Sequence, residues 1–74
     1  MGSEVLSKKD VAFGQRLKRF RNKVDLTQEE LAERIKLSRD FIALLETGRR
    51  RPSVKTVQKL AKVLRVKASD LLSY

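Results

Sequence analysis

Apolar residues along the chain recur at helical rather than strand spacing. In residues 10–23, "DVAFGQRLKRFRNK", Val11 or Phe13 shares a face with Leu17 and Phe20, while Arg16, Lys18, Arg19 and Arg21 fall largely on other faces. This predicts a first helix, ended at Val24-Asp25 because aspartate is one of the few non-glycine residues that tolerates a left-handed helix end. A second helix is predicted after Thr27. Thr27 and Glu30 have the spacing of a capping box, Glu29 sits near the positive helix terminus, and Leu31, Ala32 and Ile35 make an apolar seam. Lys36-Leu37 forms a turn, and Ser38 caps a third helix that runs to Thr47 and stops at Gly48. After "GRRRP", Ser53 caps a fourth helix carrying Val54, Val57, Leu60, Ala61 and Leu64 at helical spacing. Val66 leads to a last short helix that starts near Ala68 or Ser69 and ends in Leu71 and Leu72. No alternating run is long enough for a strand, and there is no repeat or low-complexity segment. The expected fold is all-α and five-helical over residues 10–74. Residues 1–9 form a tail, whose opening Met-Gly-Ser has the composition of a cloning remnant.

The second and third helices are each below the roughly 12 to 15 residues at which isolated helices become even marginal, so they depend on tertiary packing and act as one unit. Two short helices joined by a tight turn cross at a large angle. One can then lie across a nucleic-acid backbone while the next projects into the major groove.

Charge supports an anionic partner. The chain of 74 residues has 18 Lys+Arg against 9 Asp+Glu and a net charge of +9. The excess is uneven: residues 1–25 sum to +4, residues 26–48 to −2 and residues 49–74 to +7. A near-neutral reading element flanked by two cationic arms fits that distribution. With no cysteine, neither a disulfide nor a thiolate metal site supports so small a core. There is no histidine, three glycines leave no phosphate-cradling loop, and no carboxylate pair is placed to share a cleft. We therefore expect no enzyme, no metal and no cofactor. No run approaches the roughly 18 apolar residues of a membrane helix, and the N-terminus lacks a signal-peptide hydrophobic region. The expectation is a soluble cytoplasmic protein with no membrane partner.

"TQEELAERI", then "LSRDFIALLETGRRRPS", then "LAKVLRV" resembles the Cro/CI-type phage-repressor helix-turn-helix proteins, over about residues 13–73. Gly14, Arg16, Leu17, Arg21, Thr27-Gln28, Leu31-Ala32, Ile42, Glu46, Gly48, Pro52-Ser53, Leu60-Ala61 and Asp70-Leu71-Leu72 carry the match. The resemblance implies a compact repressor-like five-helix DNA-binding domain, with the helix-turn-helix at helices 2 and 3. It further implies a dimer on a palindromic double-stranded DNA operator. Lys36 departs from the family pattern, standing where glycine is frequent, and this implies modest left-handed strain.

At about 100° per residue, helix 3 turns Ile42, Leu45 and Phe41 toward the core and Asp40, Ala43, Leu44 and Thr47 outward. Arg39, in the first turn, has the length to reach the groove from the edge. Family correspondence also places base-reading residues at Arg39, Asp40 and Leu44. Arg39 suits guanine O6/N7, competing with a phosphate contact or pairing to Asp40; Asp40 suits cytosine N4, competing with helix-dipole complementation. Leu44 suits a thymine methyl, competing with a stray core role. Candidate backbone contacts are Arg16, Arg19, Gln28, Ser38, Arg49, Arg50, Arg51 and Lys55, Gln28 by resemblance to the family's phosphate-contacting glutamine. The resemblance makes Arg21 and Glu46 a buried structural ion pair. It also implies a weak homodimer through the last helix and neighbouring loops, with Leu71, Leu72 and Tyr74 as candidates. The expected function is sequence-specific transcriptional regulation, as a repressor or autoregulator reading the major groove with residues 39–47. A protein-docking module of the same fold and a non-specific basic binder of nucleic acid are the alternatives.

Overall fold

The computed structural model describes residues 6–72, which form five α-helices and, among these residues, no strand. α1 spans Lys8–Lys23, α2 Gln28–Ile35, α3 Arg39–Glu46, α4 Val54–Leu64 and α5 Ala68–Leu71. The expected caps start α2, α3 and α4. The Thr27 hydroxyl accepts from the Glu30 N–H at 3.0 Å while the Glu30 carboxylate accepts from the Thr27 N–H at 2.8 Å. The Ser38 and Ser53 hydroxyls accept from the N–H groups of Phe41 and Thr56, both at 3.1 Å. The start of α1 differs from the sequence expectation. It begins at Lys8 rather than Asp10, because the Ser7 hydroxyl caps it by accepting from the Asp10 N–H at 3.3 Å.

Helices α1 to α4 share one way of ending. Asp25 (φ 57°), Lys36 (φ 60°), Gly48 (φ 78°) and Arg65 (φ 60°) turn left-handed. The next residue's N–H then reaches back to a carbonyl of the last turn: Leu26 to Arg21 at 3.2 Å, Leu37 to Ala32 at 2.9 Å, Arg49 to Leu44 at 3.0 Å and Val66 to Ala61 at 3.0 Å. Such ends satisfy carbonyls that would otherwise be orphaned, and they turn the chain sharply out of each helix. The left-handed strain expected at Lys36 is present; a second instance, at Arg65, carried no sequence signal.

The core draws Phe13 and Leu17 from α1, Leu31 and Ile35 from α2, Ile42 and Leu45 from α3, Leu60 and Leu64 from α4, and Leu71 from α5. α3 lies between α1 and α2, α2 also packs on α4, and α5 closes against α4 and α1. Gly14 lets α1 approach α3 this closely: a Cβ there would sit 2.4 Å from the Leu45 carbonyl oxygen and 2.5 Å from that of Glu46. The position of α5 takes Leu71 out of the expected dimer surface. Leu71 is 0% exposed and belongs to the core, and Leu72 is half-buried against it, while Tyr74 lies outside the described residues. Among the described residues no helix is long and apolar enough to cross a membrane.

Candidate nucleic-acid interface

α3 divides as its angular pattern predicts. Ile42 and Leu45 are fully buried and Phe41 is half-buried against the core, whereas Asp40, Leu44 and Thr47 are exposed and Ala43 is half-buried. Asp40, Ala43, Leu44 and Thr47 line one shallow concavity of about 410 Å³, joined by Arg49 from the following loop. Leu44 is exposed on this face, so it is not a core residue. Arg39 is exposed at the first turn and forms no ion pair with Asp40, so both side chains remain available outward. Thr47 differs from a simple outward reader. Its hydroxyl donates to the Ala43 carbonyl at 3.1 Å or to that of Leu44 at 3.2 Å, leaving its methyl and an oxygen lone pair to present.

The backbone candidates lie on several elements. Ser38 and Gln28 stand at the N-termini of α3 and α2, where N–H groups and the helix dipole favour an anion. The Ser38 hydroxyl uses an oxygen lone pair for its cap, which leaves its proton to donate. Gln28 is half-buried and turned inward, donating from Nε2 to Glu46 Oε1 at 3.0 Å, so that one amide N–H is already engaged. Lys55 is exposed in the first turn of α4 and Arg19 is exposed on α1. Arg16 is half-buried, and its Nε is enclosed without an acceptor, which restricts how its guanidinium can swing outward.

The three arginines of the loop separate. Arg49 lines the concavity of α3. Arg50 places its guanidinium carbon 5.3 Å from the centroid of the Phe41 ring. Arg51 Nε donates to Asp10 Oδ2 at 3.3 Å, linking the loop to the start of α1. Adjacent in sequence, the three are separated by the loop path, which gives each different surroundings.

Behind the reading face lies the Arg21–Glu46 pair, both residues 8% exposed. Periodicity set Arg21 apart from the apolar face of α1, but the chain places it at the α1–α3 contact. Its Nη1 also donates to the Leu26 carbonyl at 2.8 Å and to Asn22 Oδ1 at 3.2 Å. The hydrogen bonds that the guanidinium donates to Glu46 favour its charged form, raising its pKa against the opposing effect of burial. Arg21 is therefore occupied inside the fold.

Residues 17–71 match the family described as Helix-turn-helix. An uncharacterised HTH-type transcriptional regulator from Archaeoglobus fulgidus is 42% identical over 59 residues, spanning 80% of this chain and 83% of that protein. The crystal structure of the restriction-modification controller protein C.AhdI from Aeromonas hydrophila has a TM-score of 0.79 at 38% identity, over 82% of this chain and 92% of that one. SinR, a master regulator for biofilm formation solved in complex with DNA, has a TM-score of 0.77 at 30% identity, over 81% of this chain and 97% of that one. The chain belongs to the helix-turn-helix family of transcription regulators, of the Cro/CI type.

Proposed function

We propose that this chain is a sequence-specific double-stranded DNA-binding transcription regulator, a cytoplasmic repressor or autoregulator without enzymatic activity. The concavity formed by Asp40, Ala43, Leu44, Thr47 and Arg49 on the outer face of α3, in a chain of this family, carries the reading. Its chemistry is mixed. A carboxylate accepts from a cytosine amino group, two apolar side chains suit a thymine methyl, and an arginine serves guanine or phosphate. Gln28 and Ser38 at helix N-termini and the loop arginines supply sequence-blind affinity around it.

A homodimer on a palindromic operator completes the proposal, with half-sites about one helical turn, ~34 Å, apart. With Leu71 in the core, the surface that supports self-association is around Val54. This residue is 73% exposed beside a groove of about 300 Å³ whose apolar lining includes Pro52 and Leu72.

Selection of binding sites from a random DNA pool tests the function. Affinity should fall by orders of magnitude when the selected site is scrambled at constant salt. Equal affinity for both duplexes makes the chain a non-specific basic binder. No duplex binding at all favours protein docking through Ala43 and Leu44, which the apolar part of the concavity would serve.

A further inference from the structure

We infer that Phe41 is a positioning residue for the phosphate clamp: its ring holds Arg50 in a fixed place beside the reading helix. The inference rests on the DNA-binding reading above and adds a role for a residue that angular analysis assigns only to the core. Phe41 is half-buried, so one part of the ring packs on the core while the remainder is left at the edge of α3. Arg50 returns to that edge because the chain reverses at Gly48. The Gly48 backbone is left-handed at φ 78°, and the Arg49 N–H closes back onto the Leu44 carbonyl at 3.0 Å. The Arg50 guanidinium carbon then lies 5.3 Å from the Phe41 ring centroid, within the distance at which the negative face of a ring attracts a cation.

The contact engages the charge of the guanidinium, and among the described residues no Arg50 N–H is spent in a hydrogen bond, so the donors that recognise a phosphate in bidentate fashion remain available. The ring contact therefore does not compete with phosphate binding. It removes rotamer freedom from a long exposed side chain before the duplex arrives, which lowers the ordering cost of association. It also fixes the clamp to the element that enters the groove, so α3 and its phosphate contact move as one body. Arg51 has no such arrangement: its Nε donor is directed at Asp10.

A double-mutant cycle on the folded chain, with a selected duplex and its scrambled counterpart as probes, tests this. Phe41→Leu keeps an apolar side chain on the core and removes the ring. It should weaken binding to both duplexes by about two- to fivefold, the usual size of an exposed cation–π contact. Phe41→Tyr should restore binding, and in an Arg50→Ala background Phe41→Leu should have no further effect. Loss of the same size in the Arg50→Ala background, or loss confined to the selected duplex, overturns the inference, since Phe41 would then act only by supporting α3. A parent chain that binds no duplex overturns the DNA-binding reading and this inference together; a parent that binds, with Phe41→Leu unchanged, overturns the inference alone.

Discussion

Arg21 of α1 and Glu46 at the end of α3 form a two-pronged ion pair across the helix interface, Nε to Oε2 at 2.6 Å and Nη2 to Oε1 at 3.0 Å. Gln28 at the start of α2 donates to the same Glu46 oxygen, so three elements meet at one carboxylate. α3 is held in orientation from behind by this network. Removing one partner of a buried pair strands the other, at about 3 to 5 kcal/mol, a large share of the ~5 to 15 available to a domain. Glu46→Ala is expected to be unfolded or nearly so in thermal melts. A melting temperature within a few degrees of the parent would show that the pair contributes no net stability.

Gly14 should tolerate no side chain. The methyl of Gly14→Ala would stand 2.4 Å and 2.5 Å from two backbone oxygens, which cannot rotate away as a flexible side chain would. α1 must therefore shift from α3, and with it Arg21 from Glu46. The gain in helix propensity, about 1 kcal/mol, is outweighed by overpacking of typically 1 to 3 kcal/mol, to which disturbance of the ion pair adds. Denaturant unfolding should show a lower midpoint; an unchanged or raised midpoint would mean that the helices are not in close contact here.

Much of this fold is legible in the sequence because it is fixed locally. Thr27, Ser38 and Ser53 cap helices through hydrogen bonds spanning three residues, and the core-facing sector of α3 follows from its periodicity. Ser7 lacked that support, since the first turn it opens, Lys8-Lys9-Asp10, holds no apolar residue to register a period. The burial of Leu71 is not legible in the sequence, because only tertiary structure brings α5 back to α4 and α1. The anchors of Arg50 and Arg51 were hidden for a related reason: they depend on the path of a loop, which no periodicity encodes. Gln28, placed by family resemblance at the phosphate backbone, has in addition the inward partner Glu46.

Lys36 and Arg65 occupy left-handed backbone, both at φ 60°, where an L-residue with a Cβ costs roughly 1 to 2 kcal/mol. Glycine removes that strain but loses roughly 0.5 to 1 kcal/mol through the greater entropy of the unfolded chain. Lys36→Gly and Arg65→Gly should each stabilise the domain by about 0.5 to 1 kcal/mol, raising the melting temperature by roughly 2 to 8 °C. Destabilisation by either change would show that the lysine or arginine side chain makes contacts worth more than the strain.

The capping box at Thr27 should be visible in acid. The backbone N–H of Thr27, then its hydroxyl, hold the Glu30 carboxyl below the usual glutamate range. A depressed folded-state pKa means that the ionised form contributes stability above the ordinary glutamate value, and that this contribution is lost as pH falls through the folded value. NMR titration should find the Glu30 carboxyl still ionised at a pH where an unperturbed glutamate is half protonated. Glu30→Gln, which retains an acceptor, should flatten this part of the pH–stability curve; titration of Glu30 at the ordinary value would mean the box is open in solution.

Reading and clamping should separate in binding experiments. Arg51 is exposed in the loop that follows α3 and a phosphate contact carries no base information, so Arg51→Ala should weaken selected and scrambled duplexes by similar factors. It should also reduce the slope of log affinity against log salt by about 0.9 per lost phosphate contact in each protomer. Arg39 and Leu44 are exposed on α3, where the proposed base contacts lie. Arg39→Ala should cost roughly 1 to 3 kcal/mol on the selected site, relax preference at one base pair in each half-site, and affect scrambled DNA much less. Leu44→Ala should relax a thymine preference with little change in salt slope, because it removes contact with a methyl group and no charge. All comparisons need one ionic strength, since the affinity of so basic a chain shifts by orders of magnitude with salt. Equal losses on both duplexes for Arg39→Ala would make Arg39 a phosphate contact, leaving base recognition to Asp40, Ala43, Leu44 and the methyl of Thr47.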